Sequence, residues 1–152
     1  MLARTHLAFG ILVYLLIERF IGNGILLLSA VLFFSIFPDI DYYNSAVGKK
    51  AKPLSYILNL IFGHRGIFHT IYFPILCFLL ISYVDIQVAI AMSAGYLSHL
   101  FLDSVTLSGT RPLYPLFNKE LKGLIKTGGF SETIVFLIIT GAVFFFLIGL
   151  LS

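Results

Sequence analysis

Four histidines and three aspartates in this chain stand at spacings that can do chemistry. The most informative stretch is Gly95-Tyr96-Leu97-Ser98-His99-Leu100-Phe101-Leu102-Asp103-Ser104-Val105-Thr106. Residues four apart share one face of a helix, so His99 and Asp103 point the same way. An imidazole nitrogen and a carboxylate oxygen on one face can hold a divalent cation between them. The plain alternative is a hydrogen-bonded polar pair inside a helix bundle. The flanking residues are apolar enough for a bilayer, and an ionisable pair in that setting points to a functional site.

Pro38-Asp39-Ile40-Asp41 sets two carboxylates at the end of an apolar run, where the negative end of a helix already favours a cation. Two acids this close repel unless they share a cation or a proton. Solvated aspartates in an interfacial turn are the alternative. Gly63-His64-Arg65-Gly66-Ile67-Phe68-His69-Thr70 places two histidines, an arginine and two glycines ahead of another apolar run. The glycines let backbone approach a ligand, and the N–H groups at a helix start suit phosphate. Arg65 can clamp a phosphate through two parallel hydrogen bonds or serve as a membrane anchor. His69 reads as a metal ligand one turn into the helix. His64 reads as a ligand, a support for one, or a general acid.

His6 precedes the first apolar run and gains weight from the other candidates at the same depth. Together these residues form a nitrogen and oxygen donor set without thiolate. Such a set suits one or two ions of Zn²⁺, Mn²⁺ or Fe²⁺ and does not choose among them. A metal-activated water would attack a phosphoryl or acyl centre near neutral pH. Ser98, Ser104 and Thr106 are candidates to orient the ligands. A serine hydrolase is a poor fit: no GxSxG occurs, and adjacent Ser98 and His99 diverge on a helix.

The elements that must position these residues are apolar runs at about 7–21, 24–37, 67–84, 86–102 and 133–151. The chain of 152 residues is 59% hydrophobic and 11% charged, with mean hydropathy +1.02. A soluble domain has about 25% charged residues. The expected fold is therefore all-α: one domain over 1–152, a polytopic membrane bundle of about five hydrophobic helices with two long cytoplasmic-side loops. Gly22-Asn23-Gly24 makes a tight hairpin of the first two runs. Glu18-Arg19 stands where a signal peptide would need small residues, so the first run is expected to be retained. The single cysteine, Cys77, excludes a disulfide framework and a thiolate zinc site.

With the N-terminus inside, Arg4, Lys49, Lys50, Lys52, Arg65, Arg111, Lys119, Lys122 and Lys126 fall on one side and Arg19 on the other. That bias predicts a multi-pass protein of the inner (cytoplasmic) membrane with a cytoplasmic N-terminus. The net charge of +3 is too small to argue for nucleic acid. The same topology brings His6, Asp39, Asp41, His64, His69, His99 and Asp103 to one membrane face. Residues 53–62 read as an interfacial helix, and 116–126 as a second, with its lysines snorkelling or meeting anionic head groups. Ser131 reads as an N-cap, and Glu132 suits the dipole of the last helix.

The order His6, PDID at 38–41, GHRGIFHT at 63–70, GYLSHLFLDSVT at 95–106 and GTRPLYP at 109–115 resembles the YdjM-like family of bacterial and archaeal inner-membrane proteins. The resemblance covers most of the chain. It implies a membrane-bound, metal-dependent hydrolase. Through that family it is also similar to the zinc-dependent phospholipase C and P1 nuclease group. By that likeness His6, Asp39, His69, His99 and Asp103 bind metal, with zinc the expected ion, and Asp39 also activates water. Asp41 is a ligand or base, and His64 and Arg65 face phosphate. After Asp103 the chain has no histidine and few acids, so one or two ions are expected rather than three. The expected substrate is a phospholipid or a lipid-linked phosphate. The competing expectation is a metal-binding structural or regulatory membrane protein. A transporter is disfavoured because its polar residues would lie near the midplane.

Overall fold

Hydropathy and helix signals in the sequence become six α-helices in the structure, a computed structural model that describes residues 1–62 and 66–151. They are α1 Ala3–Ile21, α2 Ile25–Ile36, α3 Lys52–Phe62, α4 Tyr72–Ser82, α5 Ile86–Ser104 and α6 Phe130–Leu151. No β-strand occurs among the described residues, only isolated bridges. A 3₁₀ turn at Phe37–Asp41 extends α2, and another at Ile67–His69 leads into α4.

The central element is α5, which packs against α1, α2 and α4, while α6 packs on α1. Local chemistry fixes its ends. The Asp85 side chain accepts from the N–H groups of Gln87 and Val88 at 2.8 and 3.0 Å, and Thr106 Oγ1 donates to the Asp103 carbonyl at 2.7 Å. Small side chains let its neighbours close in: Ala89 and Ala91 are fully buried. A Cβ on Gly95 would lie 2.3 Å from the Val31 carbonyl oxygen, so α2 and α5 touch backbone to backbone there. Tyr14, Ile21, Leu27, Val31 and Ala91 form one apolar cluster, and Met1, Leu102 and Ile139 another.

Outward faces are apolar. Leu76, Leu80, Leu137, Ile138 and Phe145 are exposed, whereas His6, His69, His99, Asp41 and Asp103 are buried. Among the described residues α6 alone, over Phe130–Gly149, is long and apolar enough to cross a membrane.

Several expectations need correction. The run at 67–84 is not one spanning helix. Its first part is a 3₁₀ turn, so His69 sits in that turn and not one turn into a helix, and α4 has 11 residues. At 1.5 Å per residue α4 is about 16 Å long, against about 30 Å of hydrocarbon. Residues 116–126 are not helical. Thr110 and Leu121 exchange backbone hydrogen bonds at 2.9 and 2.8 Å, and Ile125 N–H donates to Val105. Gly123 permits this pairing, because a Cβ there would lie 2.1 Å from the Val105 oxygen. Ser131 lies inside the first turn of α6, and its hydroxyl accepts from the Lys126 N–H at 3.2 Å. The interfacial candidate at 53–62 is a helix, α3, with Leu54, Ile57, Leu60 and Ile61 exposed.

Candidate metal centre

Asp39 comes from the turn that extends α2, His69 from the turn before α4, and His99 and Asp103 from one face of α5. One donor atom from each gathers so that all four lie within 4.8 Å of one another. His69 Nε2 and His99 Nε2 are 3.3 Å apart. Asp39 Oδ1 lies 3.9 and 3.7 Å from those nitrogens, and Asp103 Oδ2 lies 3.8 Å from each. Metal bonds of 2.0–2.2 Å give tetrahedral donor–donor edges of roughly 3.3–3.6 Å. The five spacings above, 3.3–3.9 Å, are near that figure, while the group as a whole spreads to 4.8 Å.

Protonation makes the fit stronger. His99 Nδ1 lies 2.8 Å from the Ser35 carbonyl oxygen, which can only accept, so Nδ1 carries the proton and the Nε2 of a neutral ring presents a lone pair. His69 Nδ1 lies 3.2 Å from Asp41 Oδ2, which favours the same tautomer. Two Nε2 lone pairs and two carboxylates then face one point; the Met1 ammonium already meets Asp103 at Oδ1, and a further cation among the donors relieves the remaining repulsion. The carbonyl and the carboxylate behind the imidazoles are the partners that metal-bound histidines usually have. Burial, reinforced by nearby Asp103 and opposed by His6 and His69, pushes the Asp39 carboxyl above its ordinary range.

Further contacts hold these side chains in place. The Tyr96 hydroxyl donates to the Phe68 carbonyl at 2.5 Å and so ties the His69 turn to α5. Asn59 of α3 donates to the Asp41 carbonyl at 2.9 Å. Ser45 donates to the Asp39 carbonyl at 2.7 Å. Glu132, buried at the start of α6, accepts from the Leu2 N–H, the Thr5 hydroxyl and the Gly128 N–H. It therefore fixes the residue next to His6.

Of the residues the sequence singles out, Asp39, His69, His99 and Asp103 meet as one donor group. His6 stands beside that group. Its ring stacks on His99 with centroids 4.0 Å apart, and its Nε2 is 3.3 Å from Asp103 Oδ1, the oxygen turned away from the other donors. Asp41 is buried behind His69. His64 and Arg65 lie outside the described residues. Ser98, Ser104 and Thr106 donate to carbonyls three residues earlier, which uses their hydroxyls within the backbone of α5. Ser35, Asn59 and Tyr96 escape sequence reading. A backbone carbonyl leaves no side-chain signature, and a tyrosine three residues before His99 is a weak cue.

A cavity of about 720 Å³ adjoins the group and reaches Asp39 and Asp103. The model of the family described as YdjM inner membrane protein matches residues 1–151. The uncharacterized protein YvsG of Bacillus subtilis (strain 168) is 31% identical over 139 residues, covering 89% of this chain and 87% of that protein. The inner membrane protein YdjM of Escherichia coli (strain K12) is 31% identical over 87 residues, 53% of this chain and 44% of that protein. No solved structure matches. By the extent of these matches, this chain belongs to the YdjM inner membrane protein family.

Proposed function

We propose that this chain is a metal-dependent hydrolase, a multi-pass bundle of the inner membrane that cleaves a phosphoester of a phospholipid or lipid-linked phosphate at the cytoplasmic face. The observation that carries the reading is the convergence of two Nε2 atoms and two carboxylate oxygens within 4.8 Å of one another. Asp39, His69, His99 and Asp103 hold one divalent ion, with zinc the best match to the donor set and manganese or iron the alternatives. Such an ion supplies Lewis acidity toward a phosphoryl oxygen and makes water a better nucleophile. Asp41 and the Ser35 carbonyl keep the two imidazoles aimed inward. His6 steadies the outer oxygen of Asp103 or joins it on a second ion. The contact of His64 and Arg65 with substrate phosphate belongs to this proposal on sequence grounds. Family membership, the apolar outward faces, α6 and the exposed apolar side of α3 support a site at head-group depth.

A second reading has its own support. Four protein donors close a tetrahedral shell, as in structural sites, whereas catalytic sites keep a position open. On this reading the ion braces a structural or regulatory protein without turnover. Against it stands Asp39, which is partly exposed and lines the cavity.

The deciding experiment uses the full chain in detergent, with metal content measured by mass spectrometry and hydrolysis followed on phosphomonoesters, phosphodiesters and phospholipids. The expected outcome is about one ion per chain, turnover of a phosphoester, and loss of both in His99→Ala and Asp103→Asn. Bound metal without turnover on any ester would leave the structural reading. Unchanged metal content in both variants would overturn the two readings together.

A further inference from the structure

Helix α3 is turned inside out for a protein in water. Its polar residues Ser55 and Asn59, four apart on one face, point into the chain: Ser55 is buried, and Asn59 donates to the Asp41 carbonyl at 2.9 Å. Leu54, Tyr56, Ile57, Leu60 and Ile61 cover the opposite side and are exposed. The helix packs on the turn Phe37–Asp41, which carries Asp39 and Asp41. With 11 residues it is about 16 Å long, too short to cross a bilayer. It suits the bilayer surface, with its apolar side toward the acyl chains.

The charges beside α3 choose the lipid. Lys50 and Lys52 are exposed where the helix begins, and Lys52 stands at its positive end, where a cation is disfavoured unless an anion joins it. The chain has no acid between Asp41 and Asp85, and each of its acids is placed elsewhere. Asp39 and Asp103 are in the donor group, where the Met1 ammonium and His6 meet Asp103, and Asp41 stands behind His69. Glu132 holds Leu2, Thr5 and Gly128, Glu120 pairs with Lys122, and Asp85 caps α5. Glu18 lies about three turns along α1 from His6. Lys49 lines the cavity that Met1, Arg4, Asp39 and Asp103 also line. Resting on the metal-site reading above, we propose that α3 docks on anionic lipid, with Lys50 and Lys52 on the headgroup phosphates, and that this docking tightens the metal site. The link is Asn59: it holds the backbone of Asp41, whose carboxylate is 3.2 Å from His69 Nδ1.

The chain has no tryptophan, so Ile57→Trp gives a single reporter on the exposed side of α3. The full chain is placed in nanodiscs of phosphatidylcholine, alone or mixed with phosphatidylglycerol. At equal content, brominated phosphatidylglycerol is expected to quench the reporter at least about twofold more than brominated phosphatidylcholine, since each lysine near an anionic surface is worth about fivefold in binding. Lys50→Gln combined with Lys52→Gln should make the two lipids equal. Zinc affinity, from chelator competition in the mixed discs, should fall about tenfold in that double variant, the usual loss when a ligand's support is disturbed. Removing two cations would by itself favour zinc, so a fall is diagnostic. Asn59→Ala should lose the same affinity and keep the quenching preference. Equal quenching by the two lipids in the parent reporter chain overturns the dock. A reporter quenched by neither lipid, in discs that hold two chains, puts a second copy on this face and overturns it too. Zinc affinity unmoved by both sets of substitutions overturns the link while the metal site stands. Absence of bound zinc in every disc overturns the metal-site reading and the link together, and quenching then judges the dock alone.

Discussion

Asp39 and Asp41 are two residues apart and stand differently to the donor group. Asp39 turns an oxygen toward the donor group, while Asp41 is buried against the far nitrogen of His69. A residue that aims a ligand typically changes metal affinity by 10- to 100-fold when replaced. Asp41→Asn should therefore weaken zinc binding by about that factor and keep one site per chain, whereas Asp39→Asn should remove a donor and lower the stoichiometry. Competition against a fluorescent chelator measures both. At this scale the sequence was legible where chemistry requires a particular side chain: the HxxxD face, the first aspartate of PDID and His69. It was silent on supports that use backbone, such as the Ser35 carbonyl behind His99. Glu132 read as a dipole partner, yet it also grips Leu2 and Thr5 across the fold. That contact spans about the whole chain, and no local pattern announces it.

The α2–α5 contact carries the site, because Asp39 follows α2 and His99 and Asp103 lie on α5. Gly95 sets that contact, with the Val31 backbone where a side chain would begin. A backbone carbonyl cannot rotate aside, so Gly95→Ala should push the helices apart and destabilise the fold by about 1–3 kcal/mol, the usual cost of overpacking. Thermal unfolding in detergent, with and without zinc, reads the effect. Helix existence was readable from apolar runs and from caps such as Asp85. The start of α4 was not, because apolar residues 67–71 fit a helix by composition, while the turn at His69 is stabilised by contacts from distant Tyr96. The segment at 116–126 misled for a related reason. Lysines at helical spacing suggest a helix, but long-range pairing with 105–110 takes the backbone groups first.

For the molecule as a whole, the ends of α1 and α5 that carry His6 and Asp103 and the turn after α2 that carries Asp39 lie together, along with the loop that carries Lys49. If the proposed topology holds, single cysteines at Lys50 and Lys122 in a Cys77→Ser background should react with a membrane-impermeant maleimide only after the cytoplasmic side is opened. Cysteines at Asn23 and Val84 should react in intact spheroplasts. The reverse pattern would invert the orientation, and labelling of all four from one side would remove the multi-pass reading.

The donors sit at positions 39, 69, 99 and 103, so consecutive segments of thirty residues separate the first three. An ion clasping them would close two chain loops at once, much as covalent staples do. In chain-entropy terms a loop of this size is worth on the order of 3 kcal/mol, in a chain whose lone thiol rules out an internal disulfide. The supply of that ion would then govern how long each copy survives the cell's proteases, besides what it does while intact.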